Sequence, residues 1–441
     1  MVEVSAASLL AAQRTRLRGV YRGWWIVLIS YYTQLITAGA GGWIFGSLIL
    51  PMQHDLGWNQ KSITAVLLMT RGLSGLLALP LGPIVDRHGS RVLMTASAII
   101  AGVGLIAVSM AYSKPAVYLA WALYGIATPG IGLLGPRVMI PNWFVRNRNR
   151  AVAWYSMGSA TAGIAAVPAA AWVAEHYGWR MVWLILGLAC FTVAPACWVT
   201  IRRRPEDVGL LPDGDRPGDL DAREAAAIAA GRPTTRIRDA AWTVREALRT
   251  RSFWLMTAGF LLTSMPSSAI FINISGFVQS FGYSAIDGAW IVSIYGGGVF
   301  AGRWVWAWLL GRIGLYRTMV AFAVIYTVSI VLFTFQQTYT GIAITTLWLG
   351  VAVSGSQLLN VQAIPDYYGR SIVGSLTGFS TVANTAVGGM APLITAAVFD
   401  ATGGYVPAFL AFAAVCVVAA IAFALSPPPV HPSERGTATA V

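Results

Sequence analysis

The chain has 441 residues, of which 56% are hydrophobic and 11% charged, and it carries a formal net charge of +13. Soluble domains hold about 25% charged residues, so this composition excludes a soluble globular protein and leaves a membrane protein. The basic excess lacks the interleaved aromatic pattern of a nucleic-acid groove, so nucleic acid is excluded as a partner and the charge is an orientation and membrane-surface signal.

Residues 1–23 hold Arg14, Arg16, Arg18 and Arg22 and lead into an apolar run too long for a signal peptide, with no clear cleavage site. They are expected to stay as a cytoplasmic N-terminus. Apolar runs of about 20 residues, the length that crosses a bilayer core, follow near 24–50, 62–84, 92–112, 116–140, 151–174 and 181–201. The segment 202–251 then turns hydrophilic, rich in proline, glycine and mixed charge, with DAREAAAIAA as a short surface helix. Six further runs lie near 253–280, 288–310, 317–335, 341–364, 372–399 and 404–425. Backbone groups in lipid must be satisfied within each segment, and the runs are too continuously apolar for barrel strands. The expected fold is an all-α membrane protein, with twelve transmembrane helices in two six-helix bundles. The N-terminal bundle covers 24–201, a cytoplasmic linker 202–251, the C-terminal bundle 252–426 and a cytoplasmic tail 427–441. With the N-terminus inside, 24 of the 30 lysines and arginines fall on the cytoplasmic side, and the outer loops keep Lys61, Lys114 and Arg180. This predicts a bacterial inner-membrane protein with both termini cytoplasmic. Two bundles joined by a linker is the plan of a rocking transporter with a central site, expected to be a monomer.

Cys190, Cys197 and Cys416 lie in apolar runs without metal spacing and are read as packing residues. All seventeen acidic residues and all four histidines fall outside the apolar runs. No nucleophile with its base and no metal cluster is therefore embedded, which excludes a membrane enzyme and leaves no expected metal or cofactor. Three arginines remain inside: Arg71, Arg137 and Arg303. An unpaired arginine at mid-helix costs roughly 2.5–3.5 kcal/mol on insertion scales, so the missing counter-ion is expected to be an anionic substrate. Arg303 lies about 13 Å along its helix from Arg312, too deep to reach the headgroups, and is the expected substrate anchor. Arg71, about 22 Å from Asp86, is a second anion contact, a gate or a polar packing residue. Arg137, flanked by Pro136 and Pro141, is expected to snorkel to the surface. Trp304, Trp306 and Trp308 fan around the helix, so at most one shares the face of Arg303, and lipid contact is the expectation. Coupling through a resident proton carrier is not visible, which leaves a proton moved with the substrate, a counter-anion, or neither.

The stretch GPIVDRHGSR, after the second run, resembles the G-x-x-x-D-R-x-G-x-R signature of the major facilitator superfamily, with Gly82, Asp86, Arg87, Gly89 and Arg91 in register. The resemblance implies twelve helices in two pseudo-symmetric bundles, alternating access, and a loop aspartate that holds the bundles together on the cytoplasmic side. These five are expected to be conformational gate residues. A second-half copy, GRWVWAWLLGRIG, keeps Gly302, Arg303, Arg312 and Gly314 but has Gly311 where an aspartate is expected. YRGWW, NWFVRNRNRAVAWYSMGS, GWR at Gly178 to Arg180, and RRRPEDVGLLPDGD resemble the monocarboxylate and oxalate/formate branch. In that branch an eighth-helix arginine binds the substrate carboxylate, a position filled here by Arg303 in SIYGGGVFAGR. Animal members have a first-helix lysine and an eighth-helix aspartate where this chain has Gly46 and Val299, and the oxalate exchangers have an eleventh-helix lysine where this chain offers Asn384. In the superfamily, helices 1, 4, 7 and 10 line the path, which nominates Gln34, Tyr124, Asn273 and Gln357, with Asn360 behind.

The expected function is secondary transport of a small, lactate- or pyruvate-like organic monocarboxylate, in uptake more than export, by alternating access with Arg303 on the carboxylate. An exchanger of oxalate/formate-like or aromatic acids is the alternative. A multidrug antiporter would need a fourth-helix arginine that LYGIATPGIG lacks and a motif that GSATAGIAAVP matches only in part.

Overall fold

Every apolar run becomes a helix in the computed structural model, which describes residues 21–58, 60–215 and 242–429. Arg14, Arg16, Arg18, the DAREAAAIAA stretch and most of the tail lie outside the described residues. Twelve long helices stand among the described residues: α1 (22–56), α2 (Gln60–His88), α3 (Ser90–Met110), α4 (Lys114–Trp143), α5 (Arg148–Tyr177), α6 (Trp179–Thr200), α7 (Arg251–Gln279), α8 (Ala285–Ile313), α9 (Leu315–Thr334), α10 (Tyr339–Tyr368), α11 (Val373–Thr402) and α12 (Val406–Ala424). Nine of them are long and apolar enough to cross a membrane by composition over the described residues. The helices outrun the apolar stretches by a turn or so. The signature stretch is therefore not a free loop: Gly82 to His88 form the last turns of α2, and Gly89, at φ +80°, makes the turn into α3.

Three helices of the first bundle are interrupted midway by wide π-helical turns, Gly39–Trp43 in α1, Pro129–Leu134 in α4 and Ala162–Ala166 in α5. Their sequences, GAGGW, PGIGLL and AGIAA, each hold glycine or alanine residues that leave room for the widened turn. Such turns insert a residue and re-aim the side chains that follow.

Glycine lets α8 and α10 touch backbone to backbone. A Cβ on Gly298 would sit 2.2 Å from the Leu347 carbonyl oxygen, and one on Gly302 would meet Val351 and Ser354. Gly298→Ala is accordingly expected to cost about 1–3 kcal/mol, the usual price of overpacking, seen as a lower Tm of the purified protein in detergent. The same contact turns Trp306 inward. It is 2% exposed, packs on Phe322 and donates to the Val351 carbonyl at 2.8 Å, so it does not face lipid as expected. Trp304 and Trp308 are exposed, Trp304 standing edge-on to Trp154 of α5.

The bundles meet along α2 with α11 and α5 with α8, most tightly at the end that carries the linker. A Cβ on Gly82 would lie 2.3 Å from the Gly374 oxygen, and one on Gly378 2.5 Å from that of Ala78. Arg148 pairs with Asp366, and Gln362 donates to Asn149 at 3.2 Å. The first part of the linker folds onto its own bundle: the Asp213 carboxylate accepts the backbone N–H groups of Val145, Arg146 and Asn147 at 2.8–3.0 Å. The linker end is closed; in the opposite half, α1 and α7 meet through the rings of Trp43 and Phe271, 4.7 Å apart.

Candidate functional site

Between the bundles lies a cavity of about 660 Å³, walled by α1, α2, α4, α5, α7, α8, α10 and α11. On α8, Tyr295, Val299 and Arg303 are spaced at i, i+4 and i+8, one stripe of the helix, and all three line it. Arg303 is 2% exposed. Its Nη2 donates to the Gln357 side-chain oxygen, while Nε and Nη1 are buried with no hydrogen-bond partner among the described residues. A buried donor left unpaired costs about 1–3 kcal/mol, more when charged. The site is therefore short of an acceptor.

A second guanidinium stands beside it from the other bundle. Arg137 Nη1 donates to Asn360 Oδ1 at 2.8 Å, and Arg137 Nε is also buried and unpaired. Gln357 and Asn360 are one turn apart on α10, so two neighbouring amides hold one arginine from each bundle. The Tyr155 hydroxyl donates to Gln34 Oε1 at 3.3 Å and lies within electrostatic reach of both arginines. Arg71 forms part of the wall next to Gly42 and is exposed to the cavity. No aspartate, glutamate or histidine lines the cavity among the described residues.

Of the residues nominated from sequence, Arg303, Arg71, Tyr124, Gln34, Gln357 and Asn384 all line this one cavity. Tyr124 spends its hydroxyl on the Thr37 carbonyl, at 3.3 Å, and Asn384 its amide on the Ser380 carbonyl. Asn273 does not belong to the set. Its amide donates to the Ala269 carbonyl of its own helix at 2.8 Å, one turn back, and it is absent from the cavity wall. Asn273→Ala is expected to leave substrate uptake within about twofold of wild type, the range for residues away from a packed or functional contact, in a side-by-side transport assay. Arg137 is corrected in the opposite sense, since it points into the cavity and does not snorkel. Trp43, Phe271 and Asn360 also belong to the wall. Trp43 ends the π-helical turn of α1, and the wide turn that aims it has no signature in hydrophobic periodicity.

At the linker end, the Asp86 carboxylate accepts hydrogen bonds across the bundle interface from Gly374 N, Ser375 N and Ser375 Oγ at 2.6–2.7 Å. It thereby caps the N-terminus of α11, where unpaired N–H groups and the helix dipole favour a negative charge. Arg203 donates to the Asp86 carbonyl at 2.7 Å and packs on Gly89, Arg91 lies over the Trp198 ring at 4.1 Å, and Arg87 is exposed. None of the five signature residues lines the cavity.

The sequence profile of the Major Facilitator Superfamily matches residues 32–392 and 259–440. The chain belongs to that superfamily. Among curated relatives, this superfamily member is 26% identical over 81% of its length to the membrane sensor protein UhpC of Salmonella typhimurium, covering 79% of that protein. It is 23% identical over 96% of its length to the gentisate transporter of Corynebacterium glutamicum, covering 90% of that protein. A galacturonate transporter of Dickeya chrysanthemi matches at 30% identity over 30% of this chain and 39% of its own. None of these three is named for monocarboxylate or oxalate/formate. The superfamily fold is seen again in the proton:xylose symporter XylE, at a TM-score of 0.72 and 12% identity, covering 92% of this chain and 96% of that one.

Proposed function

We propose that this facilitator carries a small organic monocarboxylate across the bacterial inner membrane by alternating access, with the linker end and both termini in the cytoplasm. The observation that carries the reading is Arg303, buried with two donors unpaired in a cavity that holds no described carboxylate. A carboxylate accepts charge-assisted N–H bonds along an edge of a guanidinium, so a bound organic acid supplies an acceptor that the site lacks. The names of the relatives support an acid: gentisate over most of the chain, L-galactonate over about half of it and galacturonate over a shorter stretch. Arg71 and Arg137 add positive potential around the path, which draws in anions and repels cations. Asp86 serves as a conformational latch and does not contact substrate.

A second reading, exchange of one anion for another, has its own support. With no titratable acid or histidine in the described wall, nothing there is suited to load and release a proton, and Arg71 leaves capacity for a further negative charge.

The test is uptake by proteoliposomes of labelled organic acids and organic cations, with and without an acid loaded inside. Saturable uptake of a monocarboxylate, competed by acids and indifferent to cations, is the expected result. Stimulation by internal acid would select exchange, and uptake of cations alone would overturn the proposal.

A further inference from the structure

Resting on that reading, we infer that the substrate's acid group is attached to a single flat ring: the cavity is built for an aromatic carboxylate. Next to the arginines, α1 presents Gly41 and Gly42 to the cavity. A Cβ on Gly41 would meet nothing within 4 Å, and one on Gly42 only the Arg71 guanidinium at 3.8 Å. The backbone there is bare and leaves open space beside it. Trp43 follows immediately and closes one edge, fixed from behind by Gly163, whose Cβ position lies 2.8 Å from the indole. Phe271 stands across from it at an interplanar angle of 71°, and Tyr295 lies next to Phe271 with centroids 5.9 Å apart. The three rings, Gly41 and Gly42 all line the cavity that contains Arg303.

The α8 stripe fixes the distance. Tyr295 and Arg303 are two turns apart, a rise of about 12 Å, which seats a guanidinium, a carboxylate and one ring in sequence. Aromatic faces prefer offset or edge-on partners, and the Trp43–Phe271 corner offers both. Because Trp43 comes from one bundle and Phe271 from the other, a ring in that corner touches both halves of the carrier.

Part of the polar wall has already used its hydrogen-bond donors. Thr37, Ser264, Ser268, Ser380 and Thr381 each donate their hydroxyl hydrogen to a backbone carbonyl at 2.7–3.0 Å, and Asn384 donates its amide to one at 3.1 Å. The five hydroxyls can still accept a hydrogen bond but have spent their one donor, which leaves fewer donors for the several hydroxyls of a sugar acid.

The experiment compares labelled benzoate with cyclohexanecarboxylate, galacturonate and lactate in proteoliposomes of the full chain. Cyclohexanecarboxylate has the size and charge of benzoate without its flatness or its π face. Benzoate is expected to be taken up with an apparent affinity about tenfold above cyclohexanecarboxylate, the scale of one or two aromatic contacts, and galacturonate to compete poorly. Gly42→Ala projects a methyl group into open space and should lower the benzoate-to-lactate uptake ratio by about tenfold, as one misplaced methyl does in a fitted pocket. Trp43→Leu should do the same, and Trp43→Phe should keep most of the preference. Equal handling of benzoate and cyclohexanecarboxylate, or preference for galacturonate or lactate, sinks the ring slot and leaves the organic-acid reading standing. Uptake of none of the four sinks both.

Discussion

Arg303→Ala is expected to reduce organic-acid uptake by roughly 30- to 4,000-fold, the consequence of the 2–5 kcal/mol lost when one partner of a buried charge pair is truncated. Arg303→Lys should recover little of it, because an ammonium is a point charge and cannot hold both carboxylate oxygens in a planar fork. The stability of the empty protein should move the other way. In the substrate-free cavity Arg303 Nε and Nη1 are buried without partners, and exchanging a poorly paired buried charge for an apolar side chain of similar size is often stabilising, by about 1–4 kcal/mol. Arg303→Met should therefore raise the Tm in detergent while abolishing uptake. Such opposite signs mark a residue kept for binding. A residue kept for packing would lose stability and uptake together.

The second large effect is expected at the linker end. Asp86→Ala removes the acceptor of three short cross-bundle hydrogen bonds and leaves the first turn of α11 uncapped. The cost falls on the state in which that end is closed. At about 2–5 kcal/mol, it is enough to turn a minority open state into the major one. Transport should fall severely while substrate binding survives, since Asp86 lies away from the cavity wall. The direct readout is the reactivity of Ser356→Cys, on the cavity wall, towards a membrane-impermeant thiol reagent added from the linker side. It should rise in the Asp86→Ala background; Cys190, Cys197 and Cys416 are buried and give little signal. Unchanged reactivity would show that Asp86 does not set the balance between states. The pseudo-symmetric position carries Gly311, next to Asn149 of α5, so the corresponding junction relies on Arg148 with Asp366 and on Gln362 with Asn149.

Much of this was legible before any coordinates. A bilayer imposes helices of a given length, so the twelve spans follow from hydropathy, and arginine's permanent charge makes Arg303 conspicuous in an apolar run. What escaped was orientation within a helix. Arg137 sits three residues past the π-helical turn Pro129–Leu134. One inserted residue rotates everything after it by about 100°, which carries that side chain from an expected surface position to the cavity. The same device in α1 delivers Trp43. Asn273 misled because a polar side chain in an apolar helix suggests a ligand, whereas its amide is satisfied by its own backbone one turn away. Trp306 reads with Trp304 and Trp308 as a lipid-facing fan, although one of the three could share the Arg303 face. The bare glycine contact between α8 and α10, set by two backbones at once, instead brings it inside.

The central claim is that an organic anion completes the Arg303 site, and binding tests it without any assumption about coupling or direction. The decisive measurement is the thermal shift of purified wild type and Arg303→Ala against matched organic acids and organic cations. A ligand present at 100 times its Kd stabilises the folded state by about 2.7 kcal/mol, a shift of several degrees. The account predicts that acids raise the wild-type Tm, that cations do not, and that Arg303→Ala loses the response. An acid-induced shift that persists in full in Arg303→Ala would contradict it and move the anion site to Arg71 or Arg137.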